Sequence, residues 1–332
     1  MDHAELQAEI PVVLGAWGIG ANSSVSAVPG GTLNFNFDVR ADGGRYFLRC
    51  YRSNLETERI AGEHALVEWV AERDVPAATA IRTADGGTVV EVEGRRWALF
   101  PWMPGRPIPR GELPPAAARS LGEVHGRIQA VLAEHPESRA ARMAMRWDRA
   151  QSLVALEHVI SIAEQGREPD WLLGGLKRQR HMLEEMDVWT PDRFASLPCQ
   201  LLHGDFHDQQ ALFVDDEVSA IVDWEIWHMD PRAWELVRSL SFSTLLASPR
   251  LEDYLAGYRE HVRLTEDEVV LALRLWFQSR VVGLWAWWAY FVEGNERVKD
   301  FFPAMIAELD RVADEGWRET LTARVIHAAV KG

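Results

Sequence analysis

A short polar loop and the end of a predicted β-hairpin carry the side chains best suited to chemistry. The loop, residues 203–210 with the sequence HGDFHDQQ, holds two histidines, two aspartates and two glutamines. Two apolar runs, 211–214 and 219–222, flank an acidic turn, which is a hairpin signal, and Asp223 and Glu225 follow the second run. Because a hairpin brings its two ends together, the loop and Asp223 should converge. Convergent carboxylates beside amide side chains can hold a hard cation and orient a hydroxyl group.

The composition limits the classes of protein that fit this chain. Its 332 residues are 47% hydrophobic and 26% charged, as in soluble globular proteins. A net charge of −15 makes nucleic acid a poor partner. The longest apolar run, residues 281–292, is shorter than the roughly 18 residues that a membrane span needs. Since the N-terminus lacks a signal-peptide pattern, we expect a cytoplasmic protein without membrane or nucleic-acid partners.

The first third of the chain has the pattern of short strands around one helix. Residues 33–39 alternate between apolar and polar, and the turn at 42–44 predicts a hairpin to a strand at 46–51. A helix is predicted at 57–73. Further strands are predicted at 25–28, 80–82, 88–92 and 97–102.

After the Pro/Gly-rich segment 103–107 the pattern becomes helical, interrupted only by the hairpin. Helices are predicted at 114–133, 146–164, 171–186, 234–246, 251–262, 266–292 and 299–323. We therefore expect a β-rich N-terminal lobe, residues 1–103, and a mostly helical lobe, residues 104–332.

The loop HGDFHDQQ and the segment IVDWE at 221–225 resemble the catalytic loop and metal segment of the aminoglycoside phosphotransferase and choline kinase family. The usual motif in that family is HGDxHxxN, followed after a hairpin by IDxx or IDxE. The N-terminal strands, the helix at 57–73 and the segment ALFPWMPGRP at 98–107 fall where this family has a phosphate loop, an ion-pair helix and a hinge. The resemblance covers most of the chain and implies an α+β, protein-kinase-like fold of two lobes.

The resemblance implies transfer of a phosphoryl group from ATP, with Mg²⁺, to a hydroxyl of a small molecule. Such transfer needs positioning and charge neutralisation more than covalent help. Asp205 would accept or orient the proton of the acceptor hydroxyl, Asp223 would bind Mg²⁺, and His203 would hold the loop backbone. The acceptor stays open between an aminoglycoside-like antibiotic, an amino alcohol, a sugar and a hydroxy amino acid, and the protein is expected to be a monomer or a homodimer.

Two residues of the implied metal site differ from the usual pattern or extend it. Gln210 stands where the family has a metal-binding Asn, so its carbonyl oxygen would coordinate from a longer stem. Glu225 adds a carboxylate two residues beyond Asp223 and either binds a second metal or faces solvent.

The implied ATP site lies in the first third of the chain. Arg49 falls where kinases usually have a phosphate-binding Lys, and Arg can pair bidentately with phosphate. Its expected ion-pair partner is Glu63. A turn over the phosphates, with backbone N–H groups as donors, would be formed by Gly30, Gly31 and Thr32. The hinge against adenine would consist of Phe100, Pro101, Trp102 and Met103.

A later segment, Asp230-Pro231 followed by Trp234-Glu235-Leu236, resembles the family's GDPxxDLA, and Asp230 is predicted to support the catalytic loop. Two alternatives to a kinase stay open. The cluster of His and Asp residues in the loop 203–208 resembles a metal-dependent hydrolase site, although this leaves the N-terminal strands and helix unexplained. A catalytically silent nucleotide-binding protein is suggested by Arg49 and Gln210.

Overall fold

The computed structural model describes residues 6–20, 22–28, 34–51, 55–145, 147–247 and 249–331. Within them, the N-terminal region forms a five-stranded antiparallel sheet in the order β1-β2-β3-β5-β4. These strands are β1 (Ser24–Ala27), β2 (Phe35–Ala41), β3 (Gly44–Cys50), β4 (Val90–Val92) and β5 (Arg95–Pro101). One face of the sheet packs on helix α1 (Ile10–Gly15), because Val13 and Leu14 share a core with Phe37 and Trp97.

Helix α2 (Thr57–Ala71) lies between the sheet and the rest of the molecule. Ile60 packs into a cluster with Phe100 of the sheet, whereas Val67 and Val70 belong to the core of the helical region. The prediction of a strand at 80–82 is wrong. Ile81 donates one backbone hydrogen bond to the Leu99 carbonyl, at 2.7 Å, but the segment does not form a strand of the sheet.

The region after residue 104 is mostly helical, as predicted. The first three of its helices are α3 (Pro115–Ala133), α4 (Arg149–Gly166) and α5 (Asp170–Glu185), and the later ones are α6 (Arg232–Ser243), α7 (Arg250–Tyr258), α8 (Glu266–Val282), α9 (Trp285–Phe291), α10 (Phe302–Ala313) and α11 (Glu315–Ile326). Helices α3 and α7 are in close contact because Gly122 faces the Tyr254 backbone and leaves no room for a side chain.

Two β-ribbons position the residues predicted to be catalytic or metal-binding. The predicted hairpin is present as β7 (Ala211–Val214) and β8 (Glu217–Ile221). A second ribbon, which the sequence pattern did not predict, pairs β6 (Cys199–Leu202) with β9 (His228–Pro231). The loop 203–210 leaves β6, and residues 222–227 lead into β9. The loop 203–210 and residues 222–227 therefore lie beside each other, at the same end of the two ribbons.

The predicted helices 266–292 and 299–323 are each divided. The first breaks after α8, where Gln179 donates hydrogen bonds to the carbonyls of Val281 and Gly283, both at 2.9 Å. The second breaks at Asp314, whose side chain caps α11 through the Trp317 amide. Residues 266–291 are, among those described, the single helical stretch long and apolar enough to cross a membrane. Half of its most apolar window is buried in the protein, as expected for core helices.

Candidate functional site

A cavity of about 360 Å³ lies between the N-terminal sheet and the hairpin β7–β8. The predicted phosphate and metal residues Arg49, Glu63 and Asp223 line it, and so do the four predicted hinge residues, Phe100, Pro101, Trp102 and Met103. The predicted turn residues Gly30, Gly31 and Thr32 lie outside the described residues. The structure thus brings the described part of the implied ATP site to one cleft.

Apolar side chains that sequence reasoning missed complete this cavity. They come from both lobes and are Val28, Val67, Ala78, Leu212, Ile221 and Trp224. Leu212 and Ile221 lie on opposite strands of the hairpin, so the apolar runs that predicted the hairpin also supply an apolar wall. These apolar runs were a usable signal, but only the fold shows which of their side chains face the cavity.

The backbone groups at the end of the hinge strand β5 divide between its two edges: some bind within the sheet, and others point away from β3. The Trp102 amide donates to the Arg45 carbonyl at 3.1 Å and is therefore used by the sheet. The Leu99 carbonyl points to the other edge, where it accepts from Ile81. Because residues two apart in a strand point their carbonyls to the same edge, the Pro101 carbonyl lies on the edge away from β3.

Arg49 pairs with Asp223. Its Nη1 lies 3.0 Å from Asp223 Oδ1, whereas Glu63 accepts from the Tyr51 hydroxyl at 3.5 Å. The prediction that Glu63 is the ion-pair partner of Arg49 is therefore wrong for this structure. The reason is burial, which raises the pKa of Glu63 to about 8 and favours its neutral form. The Asp223 side chain, in contrast, is 32% exposed.

Asp205 is surrounded by donors. Arg238 donates to Oδ1, the Gln210 amide donates to Oδ2 at 3.3 Å, and His207 Nε2 lies 3.6 Å from Oδ1. Burial raises the pKa of Asp205, but the contact with His207 and the charge of Arg238 outweigh it, so the pKa lies well below its ordinary value. Asp205 is therefore a carboxylate with restrained geometry. The sequence patterns did not identify Arg238, which lies beyond the segment compared with the family.

Buried hydrogen bonds hold the loop that carries Asp205. His203 has no exposed surface, binds the Val222 carbonyl at 3.0 Å and accepts from the Asp205 amide at 3.3 Å. Burial lowers the pKa of His203, which favours the neutral ring. The Gly204 amide donates to Glu235 Oε1 at 2.7 Å. His203 thus has the structural position predicted for it.

Asp230 was predicted to support the catalytic loop, but Glu235 has this position. Asp230 accepts from the amides of Ala144 and Met145, at 2.8 and 3.0 Å, so it holds a different segment. Glu235 has no exposed surface; its second oxygen binds His125 at 3.2 Å. Both acids lie in the segment that resembles GDPxxDLA. The family pattern therefore contained the signal, which was assigned to the wrong acid.

The predicted metal residues supply oxygen atoms, which suit a hard cation such as Mg²⁺. Asp223 has a left-handed backbone, with φ of 67°, which for a non-glycine residue is uncommon and occurs at functional sites. The backbone carbonyl of Gln210 accepts from the Val222 amide at 2.9 Å, so Gln210 lies across the hairpin from the residue before Asp223. The residues present fit Mg²⁺ through these two positions.

Glu225 is buried, with 6% of its surface exposed, so the alternative that it faces solvent is wrong. Its Oε2 accepts from Asn34 Nδ2 at 2.6 Å, and its backbone carbonyl accepts from Arg59 at 3.3 Å. It therefore connects the N-terminal sheet to the segment that follows the hairpin. Its role as a metal ligand stays a prediction.

The hydrolase alternative finds no support in the loop. Across the described ranges no group of three or more His, Cys, Asp or Glu residues is placed to hold a metal ion. His203 uses both ring nitrogens on backbone groups of Val222 and Asp205. Its ring is therefore unavailable as a ligand in this arrangement.

Comparison with known proteins agrees with this geometry. Residues 24–270 match the model of the phosphotransferase enzyme family. The chain belongs to this family. A homoserine kinase of Zymomonas mobilis is 24% identical over 254 residues, which are 74% of each chain.

Solved structures of the phosphotransferase family share the fold over nearly the whole chain. An amicoumacin kinase in complex with AMP-PNP and Ca²⁺ has a TM-score of 0.62 and 15% identity, covering 97% of this chain and 96% of that one. A microcompartment-associated aminopropanol kinase has a TM-score of 0.60 and 18% identity, covering 98% and 99%. The predictions of a protein-kinase-like fold and of a phosphotransferase are confirmed.

Proposed function

We propose that this protein transfers the γ-phosphoryl group of ATP, in the presence of Mg²⁺, to a hydroxyl group of a small molecule. The observation that carries the proposal is the contact between Arg49 and Asp223, at 3.0 Å, at a cavity bounded by the hinge strand and the hairpin. It supports the proposal because a guanidinium suited to phosphate lies beside a carboxylate suited to Mg²⁺. The Asp205 loop begins and ends next to the same hairpin.

The cavity suits a nucleotide. Adenine would lie between the apolar walls, with the Pro101 carbonyl accepting from its amino group and the Met103 amide donating to a ring nitrogen. Arg49 would bind phosphate oxygens through its guanidinium. Burial lowers the pKa of Arg49, but the neighbouring charge of Asp223 outweighs this effect and keeps the guanidinium charged. The turn at Gly30, Gly31 and Thr32 stays a prediction.

At the acceptor end, Asp205 would orient the hydroxyl and take its proton late in transfer. His203 and Glu235 keep the loop backbone in place for this role. When bound, Mg²⁺ would neutralise charge on the phosphate oxygens. Asp223 and Gln210 are the residues proposed to hold it, with Glu225 as a further predicted ligand.

The acceptor class has support from the names of similar proteins, a homoserine kinase for a hydroxy amino acid and an aminopropanol kinase for an amino alcohol. Aminoglycoside-like antibiotics and sugars stay within the proposal. The cytoplasmic location, the lack of membrane and nucleic-acid partners, the monomeric or homodimeric state and the lobe boundary after residue 103 stay predictions.

The test is a panel of these acceptors incubated with the protein, ATP and MgCl₂, followed by ADP release and by the mass of the product. We expect at least one acceptor to gain a phosphoryl group in a Mg²⁺-dependent reaction. ATP binding without turnover across the panel would favour the silent nucleotide-binding alternative. Failure to bind ATP would overturn the proposal.

A further inference from the structure

The two residues that flank Asp205 in the catalytic loop are both held by His125, a residue of helix α3. On one side the Gly204 amide donates to Glu235 Oε1 at 2.7 Å, and Glu235 Oε2 lies 3.2 Å from His125 Nε2. On the other side the Phe206 ring stacks on the His125 ring, with 4.2 Å between centres and 13° between planes. The side chains of His125, Glu235 and Phe206 have no exposed surface. One buried imidazole therefore contacts the loop, directly or through one residue, on both sides of Asp205.

Hydrogen bonds at both ring nitrogens fix the orientation of His125. Burial raises the pKa of Glu235, but the contact with His125 outweighs this effect and the pKa is about 2, so Glu235 is a carboxylate. A carboxylate can only accept hydrogen bonds, so His125 Nε2 is the donor. His125 Nδ1 lies 2.7 Å from the Tyr254 hydroxyl, which in turn lies 2.7 Å from the Ser239 hydroxyl. The ring cannot turn without losing one of these bonds.

Close packing of three helices brings the partners of His125 together. Gly126, the next residue on α3, faces the backbone of α7, where an added Cβ would lie only 2.5 Å from the Tyr258 carbonyl. Glycine therefore allows the close approach at which Tyr254 of α7 reaches the His125 ring. The third helix, α6, supplies Glu235. The position of the ring is thus set by backbone packing, and the ring can pass this position on to the loop.

We propose that His125 is a positioning residue for phosphoryl transfer, which fixes Asp205 by holding Gly204 through Glu235 and Phe206 through ring stacking. This inference rests on the proposed kinase function and adds a residue that lies outside the loop motif. Because His125 has no exposed surface, it acts on the reaction through the loop and not by touching ATP or the acceptor. A displacement of about 1 Å at a reacting group can lower a rate about 100-fold, so support of this kind affects turnover.

A buried histidine can instead contribute to stability alone, and the two roles predict different results. If His125 only stabilises the fold, its substitution lowers the melting temperature but leaves kcat of the folded protein unchanged. If His125 positions Asp205, its substitution lowers kcat more than it changes KM, and it increases local opening of the loop. The experiments therefore measure kcat, loop opening and stability on the same variants.

Two conservative variants separate the hydrogen bond from the stacking. His125→Phe keeps a ring against Phe206 and removes the donor to Glu235, whereas His125→Gln keeps an N–H donor and removes the ring. We expect kcat to fall about tenfold in each and about 100-fold in His125→Ala, with ATP affinity and KM within a few-fold. Steady-state kinetics with an acceptor from the panel, together with ATP titration, measure these effects. A kcat in His125→Ala equal to that of the unmodified protein would overturn the inference.

Gln179→Leu is the matched control for lost stability. Gln179 is also buried and polar, with 1% of its surface exposed, and it bonds to the carbonyls of Val281 and Gly283 and to the Trp287 indole, away from the loop. We expect this variant to lower the melting temperature, as the His125 variants do, but to leave kcat unchanged. If Gln179→Leu lowers kcat as much as His125→Ala at a similar melting temperature, the effect of His125 is general destabilisation and the inference is wrong.

Amide hydrogen exchange, followed by mass spectrometry, tests the loop without any substrate. The amides of residues 203–207 should exchange at least about tenfold faster in His125→Phe and His125→Gln and at an unchanged rate in Gln179→Leu. Unchanged exchange in both His125 variants would contradict the inference.

The design also covers variants that do not fold and a failure of the kinase proposal itself. If His125→Ala does not fold, the two conservative variants decide the question together with Phe206→Leu, which removes the stacked ring from the side of the loop and should lower kcat likewise. If the unmodified protein phosphorylates no acceptor, the kinase proposal fails. Turnover that the His125 variants leave unchanged would overturn this inference alone.

Discussion

Arg49 and Asp223 lie 174 residues apart in the sequence, and their side chains meet at 3.0 Å. Arg49 comes from β3 of the N-terminal sheet, and Asp223 follows the hairpin of the helical lobe. The pair therefore spans the cleft between the two lobes. It places the proposed phosphate-binding cation next to the proposed Mg²⁺ ligand.

The first prediction concerns Asp223. Asp223→Ala should lower Mg²⁺-dependent kcat by about 100- to 1,000-fold, because it removes the main proposed ligand and leaves the buried Arg49 without its partner. Steady-state kinetics at several Mg²⁺ concentrations check this. Activity equal to that of the unmodified protein would end the kinase assignment. Gln210→Ala should retain part of the activity, and Gln210→Asn, which restores the family residue, should change the preference between Mg²⁺ and Mn²⁺.

The second prediction concerns Asp205. Asp205→Asn keeps the shape and removes the charge, so it should lower kcat by about 100-fold or more while leaving ATP affinity within a few-fold. Kinetics with an identified acceptor and ATP titration measure the two effects. Parallel loss of both would mean that Asp205 holds the loop or the metal. Because Arg238 would lose its charged partner, thermal stability must be measured beside activity.

The third prediction uses the raised pKa of Glu63. The pKa is about 8 in the folded protein against an ordinary 4.5, so the folded state keeps a proton that the unfolded state has lost. This contribution to stability is complete below pH 4.5 and is lost as pH rises through 8, at about 1.4 kcal/mol per pH unit between these values.

Glu63→Gln should abolish that dependence. The difference in melting temperature, variant minus unmodified protein, should therefore increase as pH rises from 5 to 8. A difference that stays constant over this range would show that Glu63 is ionised throughout. That result would restore the ion pair with Arg49 that the sequence predicted.

The fourth prediction separates Glu235 from Asp230. Glu235→Ala leaves the buried Gly204 amide and His125 without an acceptor, at about 1–3 kcal/mol each, and it releases the catalytic loop. We expect lower stability in urea together with a kcat reduced more strongly than KM changes. Asp230→Ala is the comparison, because Asp230 accepts from the Ala144 and Met145 amides and contacts His228 at 3.0 Å but forms no hydrogen bond with the loop 203–210 itself. A larger loss of kcat in Asp230→Ala would contradict this assignment.

Features that depend on neighbouring residues could be predicted from the sequence. The loop at 203–210, the hairpin and Asp223 were recognisable because motif residues and two apolar runs separated by an acidic turn are local patterns. Most predicted strands and helices end within a few residues of those observed for the same reason. The helix predicted at 266–292 is an exception: it breaks after Val282, and the break is stabilised by Gln179, a residue distant in the sequence.

The pairing and burial of the charged groups depend on the packing of distant elements and could not be predicted from the sequence. Arg49 pairs with Asp223 rather than Glu63 because burial makes the charged form of Glu63 unfavourable, and burial cannot be read from an amphipathic helix pattern. The same holds for the buried position of Glu225. The contact of Arg238 with Asp205 joins a helix to a loop 33 residues earlier, at a distance set by the packing of α6 against the β6–β9 ribbon. Local patterns specify the elements, whereas the electrostatics of the site follow from how those elements pack.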